Sequence, residues 1–300
     1  MALTWGVHTG LQNTSVEELR DLWHRIEDHG FDWISVWDHF YAADLGGTHS
    51  LEAVAAHTAL AMETERVRVG SLVYCAGYRH PAVLANAITT IDHLSGGRVE
   101  LGLGAGWAVG EYEAYGIPFP GPGERLDILE EAVQCIRGLL RDDRTDFAGE
   151  HFTLTDAAND PKPLQAELPI WIGGGGEKRT LAIAARWADG WNITFVAPEV
   201  VAHKRGVLSE HCAAIGRDPA EIRCAVNVGA ATDIEGLRAQ FGGMTEYARP
   251  GCLVGSPDEM VDQVGAFVAA GADQINLAIR APWDLGVLDA LAEARSRFDP

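Results

Sequence analysis

The stretch Val67–Gly106, VRVGSLVYCAGYRHPAVLANAITTIDHLSGGRVELGLGAG, holds one complete strand–helix–strand unit. Val67–Val73 and Arg98–Leu103 are short runs rich in Val and Leu, the composition of parallel strands covered on both faces. Between them Pro81 stands where a first helical residue belongs, a position where its missing N–H costs nothing. Val83, Leu84, Ile88, Ile91 and Leu94 follow at helical spacing.

The same alternation continues on both sides. Further candidate strands are Leu3–His8, Trp33–Trp37, Pro169–Ile172, Gly190–Phe195, Arg223–Val228 and Gln274–Ala278. Ser15 with Glu18 has the spacing of a capping box, and Val16, Leu19, Leu22, Trp23 and Ile26 make an apolar stripe that Gly30 ends. Ser256-Pro257-Asp258-Glu259 is a second helix start, with Gly271 as its stop. Eight β/α alternations over 300 residues predict one α/β domain, residues 1–300, closed as a (β/α)₈ TIM barrel. Two insertions interrupt the rhythm. Thr145–Leu168 reads as a small hairpin and a polar loop before strand five, and Ala230–Cys252 as an irregular, glycine-rich segment after strand seven.

Composition narrows the function classes. The chain is 47% hydrophobic and 22% charged, without low-complexity segments. Its apolar runs fall far short of a membrane span and its N-terminus carries no cleavable pattern, so a soluble cytoplasmic protein with no membrane partner is expected. A formal net charge of −20 argues against nucleic acid. The five cysteines are dispersed, as reduced thiols in a reducing compartment would be, and nothing has metal-ligand spacing. A small-molecule substrate and a homodimer are expected.

In a barrel of this kind the chemistry sits at the C-terminal strand ends. After strand two comes Trp37-Asp38-His39-Phe40. A His beside an Asp at a barrel mouth suits proton transfer, and it equally suits a loop cap; spacing does not choose between them. After strand four, Gly102-Leu103-Gly104-Ala105-Gly106-Trp107 would let a planar or anionic ligand approach the backbone, or would serve tight turns. After strand five, Gly173-Gly174-Gly175-Gly176-Glu177-Lys178-Arg179-Thr180 opens a helix. Free N–H groups, a positive dipole end and two cations favour a phosphate cradle here over a flexible turn with solvated basic residues. It is not a Walker loop, and GxSxG and HExxH are absent.

Taken together, these runs resemble the luciferase-like superfamily. The resemblance rests on Val36–Phe40, Gly70–Val73, Arg79-His80-Pro81, Asp92–Arg98, Gly102–Trp107, Glu111-Tyr112 with Gly116–Pro120, Ile172–Arg179 and Ala188–Asn192, and covers nearly the whole chain. Within the superfamily, an Asp-His pair after strand two resembles the branch that uses coenzyme F420, where FMN-dependent members more often show Glu-His-His. The resemblance implies that Asp38, Cys75, Ala105, Gly106, Gly175, Gly176, Lys178 and Arg179 line a deazaflavin site. It also implies a non-proline cis peptide at Leu72–Val73 beneath the ring. It departs from the sugar-phosphate and secondary-alcohol dehydrogenases of that branch in the substrate half. Ala43 stands where they carry Trp, Trp107 where they carry a catalytic Glu, Gly110 where they carry Asn, and Ala197 where they carry a substrate-phosphate Lys.

The expectation is therefore hydride transfer between coenzyme F420 and a small alcohol, ketone or activated alkene. His39 is the expected acid/base, Asp38 orients it or contacts the ring, and Tyr74 and Trp107 shape the pocket. An FMN-dependent monooxygenase, a non-catalytic deazaflavin binder and an unrelated phosphate-binding barrel are the rival readings.

Overall fold

The computed structural model describes residues 2–41 and 47–296. All eight expected strands form: β1 Thr4–Thr9, β2 Trp33–Val36, β3 Arg68–Ser71, β4 Val99–Gly104, β5 Ile170–Gly173, β6 Gly190–Thr194, β7 Arg223–Ala231 and β8 Gln274–Ile279. Each pairs in parallel with the next, and β8 pairs with β1 (Trp5 opposite Ile275), which closes the barrel.

The helices around it begin and end where their sequences dictate. In Val16–Asp28 the Ser15 side chain accepts from the Glu18 N–H and the Glu18 carboxylate takes the Ser15 N–H, the reciprocal bonds of a capping box. Leu19, Leu22, Trp23 and Ile26 are buried against the strands, while Val16, at the helix start, is exposed. Pro81 is the first residue of Pro81–Ser95, and Gly96 ends it at φ +69°, a left-handed conformation that glycine adopts without a Cβ clash. That helix buries Leu84, Ile88 and Ile91 but leaves Val83 and Leu94 outside.

The N-terminal end of the barrel is filled. Trp33 and Trp171 lie inside it with ring centroids 5.1 Å apart. Each ring occupies space that a glycine on the next strand leaves free. A Cβ on Gly70 would fall 2.4 Å from the Trp33 ring, and one on Gly190 2.3 Å from Trp171. Burying such a side chain contributes roughly 4–6 kcal/mol of apolar transfer, at about 25 cal/mol per Å². Glu100 is buried beside them, taking the Trp171 indole N–H at 2.6 Å and pairing with Arg68 and Arg223.

Of the two insertions, the first is the expected hairpin, Thr145–Ala148 against Thr153–Ala157. The second is more regular than expected. It contains a helix, Ile234–Phe241, capped by Asp233, then 3-10 turns and a short helix Thr245–Ala248. Cys252–Val254 then extends the sheet beside Gly229–Ala231. Gly236, Gly242 and Gly243 hide this helix in the sequence; Leu237 and Phe241 nevertheless bury one face of it. Among the described residues no helix is long and apolar enough to cross a membrane.

Candidate active site

At the C-terminal strand ends the barrel opens into a cavity of about 890 Å³. Every strand end contributes to its wall, from His8 on β1 to Arg280 after β8.

Asp38 and His39 leave β2 in different company. Asp38 is buried, and its two carboxylate oxygens accept from Arg79 at 2.6 and 3.0 Å and from the Cys75 N–H at 2.9 Å. Burial pushes its carboxyl above the usual range, and the guanidinium works against that push. The ring nitrogen Nδ1 of His39 lies 3.1 Å from both oxygens of Glu111. Glu111 also accepts from the Phe40 and Tyr41 N–H groups, each at 3.0 Å, and from the Tyr78 hydroxyl at 2.6 Å. Burial penalises the Glu111 carboxylate, but these bonds outweigh it and hold the group below its ordinary value. Glu111 belongs to the short helix Val109–Tyr115 after the strand-four glycines. In the sequence Glu111 stands out only as part of the family resemblance; its partnership with His39 spans seventy-two residues and is invisible before the barrel closes.

The peptide Leu72–Val73 is cis, at the position the resemblance implies. The Val73 side chain occupies the space above two strand-end glycines. A Cβ on Gly104 would come within 2.5 Å of it, and one on Gly173 within 2.8 Å. These glycines therefore make room for Val73. Gly106, at φ +77°, likewise makes room for Tyr112 and Cys75, whose side chains touch at 2.8 Å. Burial raises the Cys75 thiol to about 11, leaving it neutral at physiological pH. Leu72, Val73, Cys75, Ala105, Gly106 and Trp107 all line the cavity. Trp107 stands at its mouth, 57% exposed, edge-on to His39 at 5.3 Å between centroids.

The strand-five loop holds its shape through Gly174, which sits at φ +122° and donates to the Asn192 carbonyl at 2.9 Å. The N–H groups of Gly175 and Gly176 have no protein partner among the described residues. Gly175 lines the cavity and Gly176 stands just behind it, its missing Cβ space taken by Thr180. The two expected cations are elsewhere. Lys178 is exposed off the cavity, and Arg179 turns outward to Asp127 at 2.6 Å. The cation that lines the cavity beside this turn is Lys204, from helix Pro198–Ile215, paired with Glu177 at 2.6 Å. Adjacency in the chain pointed to the wrong side of the turn.

Tyr74 is also corrected. It is fully buried behind the sheet, its hydroxyl 2.9 Å from Nδ1 of His57, and it does not reach the cavity. His8 and Arg280, which the sequence did not single out, do reach it. His8 Nδ1 lies 2.9 Å from the Ser35 hydroxyl. Burial, with the positive charge of Arg280 second, lowers it to about 3, so it is a neutral imidazole at physiological pH. Of the positions that depart from the dehydrogenase pattern, Gly110 sits in the Glu111 helix, Ala197 caps helix Pro198–Ile215, and Ala43 lies outside the described residues. Among the described residues no cluster of His, Cys, Asp or Glu could hold a metal ion.

Comparison with known proteins agrees with this geometry. The model of the luciferase-like monooxygenase family matches residues 1–240. An uncharacterized protein of Mycobacterium tuberculosis is 33% identical over 205 residues, 68% of this chain and 69% of its own. The F420-dependent glucose-6-phosphate dehydrogenase of Amycolatopsis mediterranei is 37% identical over 171 residues, 57% of this chain and 51% of that enzyme. Among solved structures, an F420-dependent secondary alcohol dehydrogenase in complex with an F420-acetone adduct superposes with a TM-score of 0.87, at 23% identity and 98% coverage of both chains. The monooxygenase RslO1 from Streptomyces bottropensis superposes with a TM-score of 0.78 at 21% identity, covering 97% of this chain and 98% of its own. At those identities the superpositions speak for the fold.

Proposed function

The chain belongs to the luciferase-like monooxygenase family, and on that premise we propose that it is an oxidoreductase moving a hydride between coenzyme F420 and a small carbonyl or alcohol substrate. The observation that carries this reading is the pairing of His39 with Glu111 at a cavity whose other wall is a glycine turn. Two relatives of known cofactor use favour the deazaflavin over FMN, as does Asp38-His39 after β2.

The residues fit the coenzyme. The apolar side chains of Leu72 and Val73 in the cavity wall suit a planar ring. The open N–H groups of Gly175 and Gly176, with Lys204 beside them, suit an anionic tail. A side chain on Gly175 would fill that cradle: its Cβ would already be 3.2 Å from Ile193.

When bound, a deazaflavin supplies or accepts a hydride at its ring carbon. The chain's own part is one proton. Glu111 accepts from Nδ1 of His39, which leaves Nε2 as the nitrogen His39 offers to the cavity. From there it protonates the oxygen of a carbonyl being reduced, or takes the proton from a hydroxyl being oxidised. The Glu111 carboxylate fixes the tautomer and offsets the charge of the imidazolium that forms. Trp107 packs edge-on against the His39 ring at the cavity mouth.

Titration of the purified protein with coenzyme F420 and with FMN tests the cofactor. Coenzyme F420 is expected to bind at concentrations well below those at which FMN binds, and turnover of reduced coenzyme with ketones should follow. Stoichiometric FMN in protein from a host lacking F420 would favour the monooxygenase reading instead. Tight deazaflavin binding with no turnover across ketones, alcohols and activated alkenes would favour a carrier.

A further inference from the structure

Asn192 on β6 and Asn227 on β7 line the cavity, yet they are only 3% and 1% exposed. Strand alternation puts them there. Gly190 leaves room for the Trp171 ring inside the barrel, and Asn192 stands two residues on, on the same side of β6. Ala225 packs with Trp33 and Trp171, and Asn227 stands two residues beyond it on β7. The two amides therefore form the next layer after the tryptophans, at the bottom of the open volume.

A hydrogen-bond ladder fixes which way each amide faces. Arg223, which can only donate, bonds Gln274 Oε1 at 2.6 Å. Gln274 Nε2 then donates to Asn276 Oδ1 at 2.8 Å, and Asn276 Nδ2 to Asn227 Oδ1 at 3.0 Å. From the other end the Ala225 carbonyl, which can only accept, takes Asn192 Nδ2 at 3.1 Å. The same nitrogen donates to Asn227 Oδ1 at 2.9 Å. Two groups are left over. Asn227 Nδ2 and Asn192 Oδ1 have no protein partner among the described residues. Neither atom is sealed inside the protein, and the space that both residues border is the cavity. Buried amides are nearly always satisfied, so an orientation this firmly held points to a partner that comes and goes.

A fixed donor beside a fixed acceptor asks for both in return. A carboxamide, lactam or imide supplies them: its carbonyl accepts from Asn227 Nδ2 and its N–H donates to Asn192 Oδ1. An ester or a carboxylate offers oxygens alone and leaves Asn192 Oδ1 unmet, which costs more than the bond to Asn227 gains. β7 lies halfway round the closed barrel from β3, so a ring resting on Leu72 and Val73 has the amide pair across the cavity from it. What lies between the two is the substrate.

We propose that Asn192 and Asn227 are specificity-determining residues that receive an uncharged amide-type group of the substrate, so that the preferred substrates are carbonyl compounds or alcohols bearing a carboxamide, lactam or imide. The proposal rests on the hydride-transfer reading and names the substrate class within it.

The test uses oxo carboxamides, from pyruvamide to 5-oxohexanamide, each matched with its methyl ester and its acid. Binding is followed by titration calorimetry with and without saturating coenzyme F420. At least one carboxamide should bind about tenfold or more tighter than its ester and its acid, the scale of one buried hydrogen bond left unmade. Two variants should then move this preference in opposite directions. Asn192→Ala removes the acceptor, and the preference of amide over ester should narrow to about threefold or less. Asn227→Asp keeps the oxygen that Asn192 and Asn276 use but turns the free donor into an acceptor. The ester should weaken about tenfold, while the amide turns its own N–H to the new oxygen, so the preference should widen. A folding defect alone would weaken amide and ester together. Thermal melting reports folding; if Asn192→Ala does not fold, the widening in Asn227→Asp carries the test. No carboxamide preferred over its ester, an acid preferred through the charge of Arg280, or a preference unmoved in folded variants overturns the proposal. Coenzyme affinity lost in both variants with the amide preference unchanged assigns the pair to the imide edge of the deazaflavin, and overturns it too. Failure to bind coenzyme F420 would count against the cofactor reading, and the amide–ester comparison on the protein alone would still decide this one.

Discussion

Each end of the barrel buries a carboxylate against arginine, and only one end has room for anything else. At the N-terminal end Glu100 takes the Trp171 indole N–H and pairs with Arg68 and Arg223, and two tryptophans fill the space above it. At the C-terminal end Asp38 is held as fully by Arg79 and the Cys75 amide, but the side chains stop short and leave about 890 Å³. Buried charge is therefore a poor marker of chemistry in this molecule. What distinguishes the C-terminal end is unfilled volume, faced by His39 and by the Gly175 and Gly176 turn, whose amides have no protein partner among the described residues.

The sharpest way to break the contrast is to empty the filled end. Trp171→Ala should cost about 3–5 kcal/mol of stability, the range for truncating a buried aromatic side chain. Chemical denaturation measures it, and coenzyme affinity of the folded fraction should change little. Trp107→Ala, at the exposed mouth, should cost no more than about 1 kcal/mol. Equal losses at the two positions would mean that both ends are structural.

His39→Ala tests the open end. Turnover with a ketone should fall by about 10²–10⁴, the usual contribution of a positioned acid/base, with coenzyme affinity within a few-fold and melting unchanged. Loss of coenzyme binding in a folded variant would turn His39 into an anchoring group. Unchanged turnover would assign the proton to water or another residue.

Smaller effects sharpen the division of labour inside the cavity. Gly175→Val should weaken coenzyme binding by about an order of magnitude or more while the fold survives, because the side chain closes the approach to the backbone amides. Fluorescence titration reads it, and undiminished affinity would move the anionic tail away from this turn.

Glu111→Gln gives a small change in stability with a distinctive pH signature. The Glu111 carboxyl is held below its ordinary value of 4.5, so its stabilising bonds are complete above that pH and fade as pH falls through the lowered value. The melting difference between the parent and Glu111→Gln should therefore be largest near neutrality and shrink in acid below about 4.5. The variant should also shift the pH profile of turnover, which a purely structural carboxylate would leave in place. A melting difference independent of pH would remove the carboxylate from the network.

The fold was legible because it depends on local signals. Parallel strands buried on both faces announce themselves as Val- and Leu-rich runs, and Ser15, Pro81 and Ser256 mark helix starts by rules that act within four residues. The cavity wall was legible where a motif lies on one strand end: Asp38, His39, Leu72, Val73 and Gly175 all line it. Legibility failed where proximity is made by closure. Lys204 reaches the glycine turn from the following helix, Glu111 meets His39 across the barrel mouth, and Arg280 follows a strand that reads as ordinary. Tyr74 failed for the opposite reason. One residue past the cis bond, its side chain goes behind the sheet to His57 and not into the cavity. The strand-four glycines teach a third lesson, since a residue without a side chain advertises space but not its tenant. Here the tenants are Val73 beside Gly104, and Tyr112 and Cys75 beside Gly106.

Trp33 and Trp171 have a consequence for the order of events. By filling the barrel at its N-terminal end they make the cavity a well that opens at the C-terminal strand ends, where Trp107 stands. Two occupants of such a well cannot come and go independently. Under the hydride-transfer reading, whichever of coenzyme and substrate lies deeper enters first and leaves last, so its release waits on that of the outer partner.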